Sequence, residues 1–248
     1  MRISIITVVY NNERTLESAI LSVLNQSFKN IEYIIIDGKS IDGTIKIINS
    51  YKDKIAHFIS ETDEGIYDAM NKGIALASGD VIGILNSDDL YADDDVLKDV
   101  MGYFQADEKL DILYGDLVYV NTDDINKVVR KWTSKKYYKK FFEHGNVPPH
   151  TALFVKKNIY NECGLFNVDY KLAADYDFML RIFKKFGFSS KYISRLMVRM
   201  RLGGATNKSL SNIIKGNKEI LNIWKSNNLK VPLLLMPYRL FKRLIQFI

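Results

Sequence analysis

Two adjacent carboxylates, Asp88 and Asp89, follow the apolar run Ile82-Gly83-Ile84-Leu85 and the pair Asn86-Ser87. Such a run reads as a buried strand, so the two acids stand where a strand ends. Neighbouring carboxylates repel unless a proton or a cation joins them. A divalent cation with oxygen ligands would join them; a polar loop with an Asp N-cap is the plainer alternative. A third acid, Asp175, opens a strongly helical stretch whose buried face is marked by Met179, Ile182, Phe183 and Phe186. It precedes Met179 by four residues and shares that inward face, whereas Asp177 points elsewhere. A carboxylate so placed either takes a proton in a reaction or serves the helix N-terminus as cap or dipole partner.

The elements that position these acids can be read along the chain. Apolar, β-branched runs at residues 2–9, 31–36, 55–59 and 80–85 predict strands. Helical spacing at 13–26, 45–51 and 64–77 predicts the helices between them. This alternation makes βαβ units and a mainly parallel sheet. Right-handed crossovers then bring the strand ends to one edge. Asn11, Asp37, Glu61 with Asp63, and Asn86 with Asp88 and Asp89 collect there, where open α/β sheets bind ligands. Asp42 reads as an N-cap, and Gly73 as a point of close helix–sheet packing. Further on come a helix at 96–104, antiparallel strands at 112–120 and 127–133, and a turn at Pro148-Pro149-His150. A strand at 151–155, helices at 156–162 and 173–186, a strand at 189–201 and helices at 210–224 and 233–248 complete the chain.

Bulk composition, 47% hydrophobic and 26% charged over 248 residues, is that of an ordinary globular protein. One cysteine, Cys163, cannot form an internal disulfide, which suits a reducing cytoplasmic setting. The N-terminus carries no signal-peptide pattern, and no run is a confident membrane span. The net charge of +6 conceals a split: residues 1–124 carry 10 Lys/Arg against 23 Asp/Glu (−13), and residues 125–248 carry 25 against 6 (+19). An acidic half suits metals and hydroxyl-rich ligands; a basic half suits phosphates, anionic lipid or nucleic acid. A nicotinamide-dependent oxidoreductase would need Gly-x-Gly-x-x-Gly after the first strand, and residues 8–13 contain no glycine. A nucleic-acid-binding role has only the basic, aromatic stretch 131–142 in its favour, and the acidic strand ends oppose it.

Asp37-Gly38-Lys39-Ser40-Ile41-Asp42-Gly43-Thr44 resembles the Asp-Gly-Ser-x-x-Asp-Gly-Thr signature of family 2 glycosyltransferases. Asn86-Ser87-Asp88-Asp89 stands where that family keeps its metal-binding Asp-x-Asp variant. The segment Ala174-Asp175-Tyr176-Asp177-Phe178-Met179-Leu180-Arg181 is similar to its Glu-Asp-x-Asp-Leu-x-Leu-Arg, with Ala174 replacing the first acid. Residues 7–11 match the opening strand, and residues 63–73 resemble a subgroup pattern, Asp-x-Gly-Ile-Tyr-Asp-Ala-x-Asn-Lys-Gly. Order and spacing agree over residues 1–205.

The resemblance implies the α/β GT-A fold: a Rossmann-like, mainly parallel sheet with helices on both faces, plus C-terminal helices. Its catalytic domain would span 1–205, with a nucleotide-sugar half (1–124) and an acceptor half (125–205), followed by a helical extension (206–248). The implied activity is inverting, metal-dependent transfer of a sugar from a nucleotide donor, UDP-linked, to a hydroxyl of a glycan or lipid-linked acceptor in bacterial surface-polysaccharide synthesis. Mn²⁺ or Mg²⁺ would sit on Asp89 first and Asp88 second. Thr7, Tyr10, Asn11, Asp37, Asp63, Asn71, Asp88 and Arg201 become donor-binding positions, with Asp37 on the base. Arg201 opens a stretch, residues 201–206, that resembles a loop closing over the donor; an ordinary strand-to-helix turn is the alternative. His150 falls on the acceptor side, and Asp175 is the base. A non-catalytic sugar-nucleotide-binding module is the alternative function, opposed by the joint presence of Asp89 and Asp175. In the C-terminal stretch, Leu240, Phe241, Leu244, Ile245 and Ile248 form one face, with Arg239, Lys242, Arg243 and Gln246 opposite. Such a helix lies on an anionic membrane, or packs on its own domain or a second subunit. The expected location is cytoplasmic and peripheral to the inner membrane.

Overall fold

The structure is a computed structural model and describes residues 1–203 and 210–244. The sheet is built around β1 (Ile3–Val9), in which every residue is buried. β2 (Ile31–Asp37) and β4 (Val81–Ile84) flank it, both parallel to it, and β3 (His57–Ser60) runs parallel to β2. α1 (Leu16–Leu24), α2 (Thr44–Ser50) and α3 (Ile66–Leu76) make the crossovers. From β1 the chain runs outward to β2 and β3, then returns to β4 on the other side of β1. A crevice opens at such a switch point, at the carboxyl ends of the strands. The side-chain alternation of β1 feeds two cores. Ile6 and Val8 join one with α3, whereas Ile3, Ile5 and Val9 join the other with α1. α3 lies so close to β1 that any side chain at Gly73 would collide with Ile6.

The second half makes the sheet mixed. β8 (Leu153–Lys156) is antiparallel to β4 and to β6 (Ile112–Val120), and β9 (Ser190–Arg201) is parallel to β6. β7 (Val128–Trp132) pairs antiparallel with β6, as expected of the two strands around residues 121–124. With β5 (Asp89–Tyr91) at the far edge, the order is β3-β2-β1-β4-β8-β6-β9-β5. β5, antiparallel to β9, is absent from the sequence reading, because three residues are too few to show a period. α4 (Val96–Ala106) covers one core, and α5 (Lys157–Cys163) and α6 (Ala174–Leu180) the other. The single helix expected at 173–186 is α6 followed by a π-helical turn, Arg181–Lys185. α7 (Leu210–Ser226) and α8 (Leu235–Leu244) follow. Ile220, Ile223, Trp224 and Leu235 are buried in the same core as α3 and α6. Among the described residues, no helix is long and apolar enough to cross a membrane.

Candidate active site

One large cleft, of about 1220 Å³, lies at the carboxyl ends of β1 and β4 and is shared with the α6 side of the molecule. The loops after β1, β2 and β4 are tied together below it. Asn11 takes a left-handed backbone (φ 47), which asparagine tolerates well. Its N–H donates to Ser40 Oγ at 2.8 Å, and its Oδ1 accepts from the Ile41 N–H at 2.8 Å. Asn12 donates to Ser87 Oγ and to Thr44 Oγ1, at 2.9 Å each. Asp42 accepts from the N–H groups of Thr44 and Glu13 and so holds the turn before α2, but the N-cap is Gly43, not Asp42 as expected. Tyr10 and Asn11 are exposed on the cleft wall.

Asp37 ends β2 fully buried. Ser60 Oγ (2.6 Å) and the Ser40 N–H (3.0 Å) both donate to Oδ2, while Oδ1 is buried with no hydrogen-bond partner. An orphaned carboxylate oxygen is costly unless a donor completes it. Asp63 lines the cleft and accepts from Lys72 Nζ at 2.7 Å.

Burial separates Asp88 from Asp89, although both line the cleft. Asp89 is 1% exposed, held by the β5–β9 pairing. Burial, and then the charge of Asp88, push its carboxyl well above the ordinary range. Asn86 Nδ2 donates to its Oδ2 at 3.1 Å, and its Oδ1 is buried without a partner. Asp88 is the half-exposed carboxylate of the pair. These hard oxygen donors fit Mg²⁺ or Mn²⁺. Among the described residues no group of three or more His, Cys, Asp or Glu converges to hold a metal, so further ligands would have to be phosphate oxygens or water.

Across the cleft, Asp175 sits in the first turn of α6. It is not the N-cap, which is Ala173. Tyr67 Oη donates to Asp175 Oδ1 at 3.0 Å, and His150 Nδ1 faces Oδ2 at 3.6 Å. His150 Nε2 lies 3.5 Å from Asn86 Nδ2, so a polar chain runs from Asp89 through Asn86 and His150 to Asp175. Burial, and then the Asp175 charge, raise the Tyr67 phenol well above its usual range, which keeps it protonated as a donor. Tyr67 and Asn86 lie in stretches singled out from the sequence, but nothing in their types marked them as the links to Asp175 and His150.

Three further expectations are corrected, those for Thr7, Asn71 and Asp177. Thr7 is fully buried within β1, accepting from Tyr33 Oη at 3.1 Å, and does not reach the cleft. Asn71 spends its amide on the Phe166 backbone, donating to its oxygen at 2.9 Å and accepting from its N–H at 3.0 Å. Arg201 lines the cleft; its guanidinium donates to Asp88 O (2.8 Å) and Ser18 Oγ (3.0 Å), which fixes the turn that carries Asp88, while its Nε is buried without a partner. Residues 204–206 of the expected closing loop lie outside the described residues. Asp177, expected to point away, is the buried acid of α6. It accepts from Arg181 Nε and Asn227 Nδ2 at 2.8 Å each.

The glycosyl transferase family 2 model matches residues 4–162. A "PGL/p-HBAD biosynthesis glycosyltransferase" of Mycobacterium tuberculosis is 26% identical over 98% of this chain and 91% of its own. An uncharacterized glycosyltransferase of Haemophilus influenzae is 32% identical over 91% of this chain and 86% of its own. Among solved structures, S. aureus TarS 1-349 in complex with UDP aligns with a TM-score of 0.67 at 17% identity, over 96% of this chain and 68% of that one. The chain spans 43% of the longer TarS structure. The mannosyltransferase PcManGT of Pyrobaculum calidifontis, in complex with GDP-Man and Mn²⁺, aligns with a TM-score of 0.66 at 16% identity, over 98% and 68%. At such identities the likeness is one of fold, and the fold is GT-A. A family match over most of the chain, a relative at 32% identity and the strand-end carboxylates at the switch point agree: the chain belongs to glycosyltransferase family 2.

Proposed function

We infer that the protein transfers a sugar from a UDP-sugar to a hydroxyl of a glycan or lipid-linked acceptor, with inversion. The observation that carries this reading is that Asp88, from the end of β4, and Asp175, from the start of α6, line the same cleft. Residues 1–124 serve the donor and residues 125–205 the acceptor. Asp37 is our candidate for binding the nucleotide base, its unpartnered Oδ1 buried behind Gly38, and Tyr10, Asn11, Gly38 and Asp63 line the donor's end of the cleft. Asp88 would hold Mn²⁺ or Mg²⁺, with Asp89 beneath it. When bound, that ion offsets the charge that develops on the departing diphosphate.

The protein's own residues do the rest. Asp175 takes the proton of the attacking hydroxyl, which makes a single displacement with inversion possible. Tyr67 fixes one oxygen of Asp175 and leaves the other facing His150 and the cleft. His150 joins the two ends of the site through Asn86.

The acceptor's chemistry and the surface of the chain support work at the cytoplasmic face of a membrane, held peripherally. Leu233 is 98% exposed, Leu234 57% and Phe241 59%, all on or beside α8. Arg239 and Lys242 line the cleft, so the amphipathic helix turns its charge inward and part of its apolar surface outward. Residues 245–248 of that expected face lie outside the described residues.

Thermal shift tests the donor reading. UDP with Mn²⁺ at a hundredfold excess over Kd stabilises by about 2.7 kcal/mol. Asp88→Ala should remove the Mn²⁺-dependent part of the shift. No stabilisation by any nucleoside diphosphate would overturn the reading.

A further inference from the structure

The cleft has a cationic wall that neither the donor nor the proton transfer uses. Lys135, in the segment after β7, and Arg239 and Lys242, on α8, all line it. Lys135 is pinned by Tyr114, whose hydroxyl donates to the Lys135 carbonyl oxygen at 2.7 Å. The Arg239 guanidinium lies over the ring of Tyr176 at 5.0 Å, and Tyr176 directly follows Asp175. α8 is seated in the domain rather than trailing from it. Gly145 takes φ +72, and a Cβ there would lie 2.8 Å from the Arg239 nitrogen, so the turn accepts only glycine.

Lys135 and Lys242 are near enough to oppose each other's charge. Burial, and then Lys135, lower the Lys242 ammonium below its ordinary value. The acids of the neighbouring elements are engaged elsewhere: Glu143 with Lys184 at 2.6 Å, Asp116 with Tyr192 and the Ser134 N–H, and Asp175 with Tyr67 and His150. Among the described residues neither lysine has a carboxylate partner. Two lysines so placed, with no carboxylate joining them, repel until an anion does.

We propose that Lys135, Arg239 and Lys242 form a phosphate subsite on the acceptor side of the cleft, and that the acceptor is a phosphate- or diphosphate-bearing molecule whose hydroxyl reaches Asp175. This rests on the reading of the cleft as a glycosyl-transfer site with Asp175 as base. Arg239, stacked on Tyr176, lines the same cleft as Asp175. The donor's own diphosphate belongs with Asp88, at the end of β4.

The test is titration of the full chain with UDP and Mn²⁺ already saturating, so that the donor end is filled. The probes are inorganic phosphate, dodecyl phosphate below its micelle concentration, and dodecyl glucoside as the uncharged control. Dodecyl phosphate should bind at least tenfold more tightly than dodecyl glucoside and weaken with salt. Inorganic phosphate binding as tightly as dodecyl phosphate would assign recognition to the phosphate alone; weaker binding would add the alkyl chain to it. The pair Lys135→Ala/Lys242→Ala should weaken phosphate binding at least tenfold with UDP affinity within twofold, and Lys135→Arg/Lys242→Arg should restore it. The subsite is overturned if dodecyl glucoside binds equally well, if the Ala pair leaves phosphate binding unchanged, or if that pair loses UDP affinity instead, which would give these cations to the donor. Failure of the wild-type chain to bind UDP would strike the donor reading, not the subsite.

Discussion

Asp175 is distinguished from its neighbours by what surrounds it, not by its position in a helix. It carries one donor, Tyr67, and one cleft-facing partner, His150, whereas Asp177 two residues on is sealed against Arg181 and Asn227. Asp175→Asn preserves size and the contact with Tyr67 but removes the proton acceptor. It should lower kcat by about 10²–10⁴-fold and leave the UDP-induced thermal shift intact; equal loss of donor binding would deny it the role of base. The sequence made Asp175 and Asp177 distinguishable only through an assumed buried face, and it assigned the buried side to the wrong acid. Asn71 misled for a similar reason: its motif was visible, but its amide faces the Phe166 backbone, 95 residues away. Glu32 carried no signal at all. Buried at the start of β2, it accepts from Ser4 Oγ, the Ser78 N–H and hydroxyl, and the Gly79 N–H. Burial alone would raise its pKa, but these bonds and Arg2 outweigh it and lower the carboxyl to about 2. With an ordinary value of 4.5 in the unfolded chain, that contributes about 3 kcal/mol. The contribution is complete above pH 4.5 and is lost as pH falls through about 2. Urea unfolding of Glu32→Gln should therefore show its full deficit at pH 7 and converge on the wild type towards pH 2.

At the scale of elements, the acid that the sequence misplaced explains how Asp175 is held. Arg181 opens the π-helical turn after α6. Besides Asp177, it donates to the carbonyl oxygens of Cys163, Gly164 and Leu165, and Asn227 brings the end of α7 to the same carboxylate. One buried ion pair thus fastens α5, α6 and α7 together and fixes the start of α6, where Asp175 stands. Arg181→Leu leaves a buried carboxylate uncompensated and should cost about 3–5 kcal/mol in urea unfolding. A loss under 1 kcal/mol would show that the pair contributes specificity rather than stability. The strands and helices themselves were largely legible, because period 2 and period 3.6 survive in Ile3–Val9, Ile31–Asp37 and Ile66–Leu76. β5 and the π-helical turn were not, since a three-residue strand and a change of helix type leave no periodic mark. The antiparallel insertion of β8 between β4 and β6 was hidden too, because pairing partners far apart in sequence are chosen by packing.

For the whole molecule, the charge split of the chain becomes a spatial one. The acidic half ends its strands in the cleft, and the basic half supplies its far wall and an exposed surface beside α8. That surface carries Leu233, Leu234 and Phe241, with Lys136, Lys139 and Lys140 exposed on the segment whose turn at Gly145 seats α8. Complete burial of a Leu or Phe side chain is worth about 1.5–3 kcal/mol, and each basic residue near an anionic surface about 1 kcal/mol. Together these exceed what a loose encounter with a bilayer needs, without any helix that crosses it. Sedimentation with vesicles of phosphatidylcholine and phosphatidylglycerol should therefore carry the wild-type chain down at low salt, and less of it as salt is raised. Leu233→Asp/Phe241→Asp should reduce the partition at least tenfold by removing the apolar part, while Lys136→Gln/Lys139→Gln/Lys140→Gln should remove most of the salt dependence. Neither set touches the donor end of the cleft, so the UDP-induced thermal shift should persist in both. Undiminished vesicle binding by the Asp pair would show that another surface meets the lipid. Loss of a dimer in the same variant would instead place a second copy of the chain on this face.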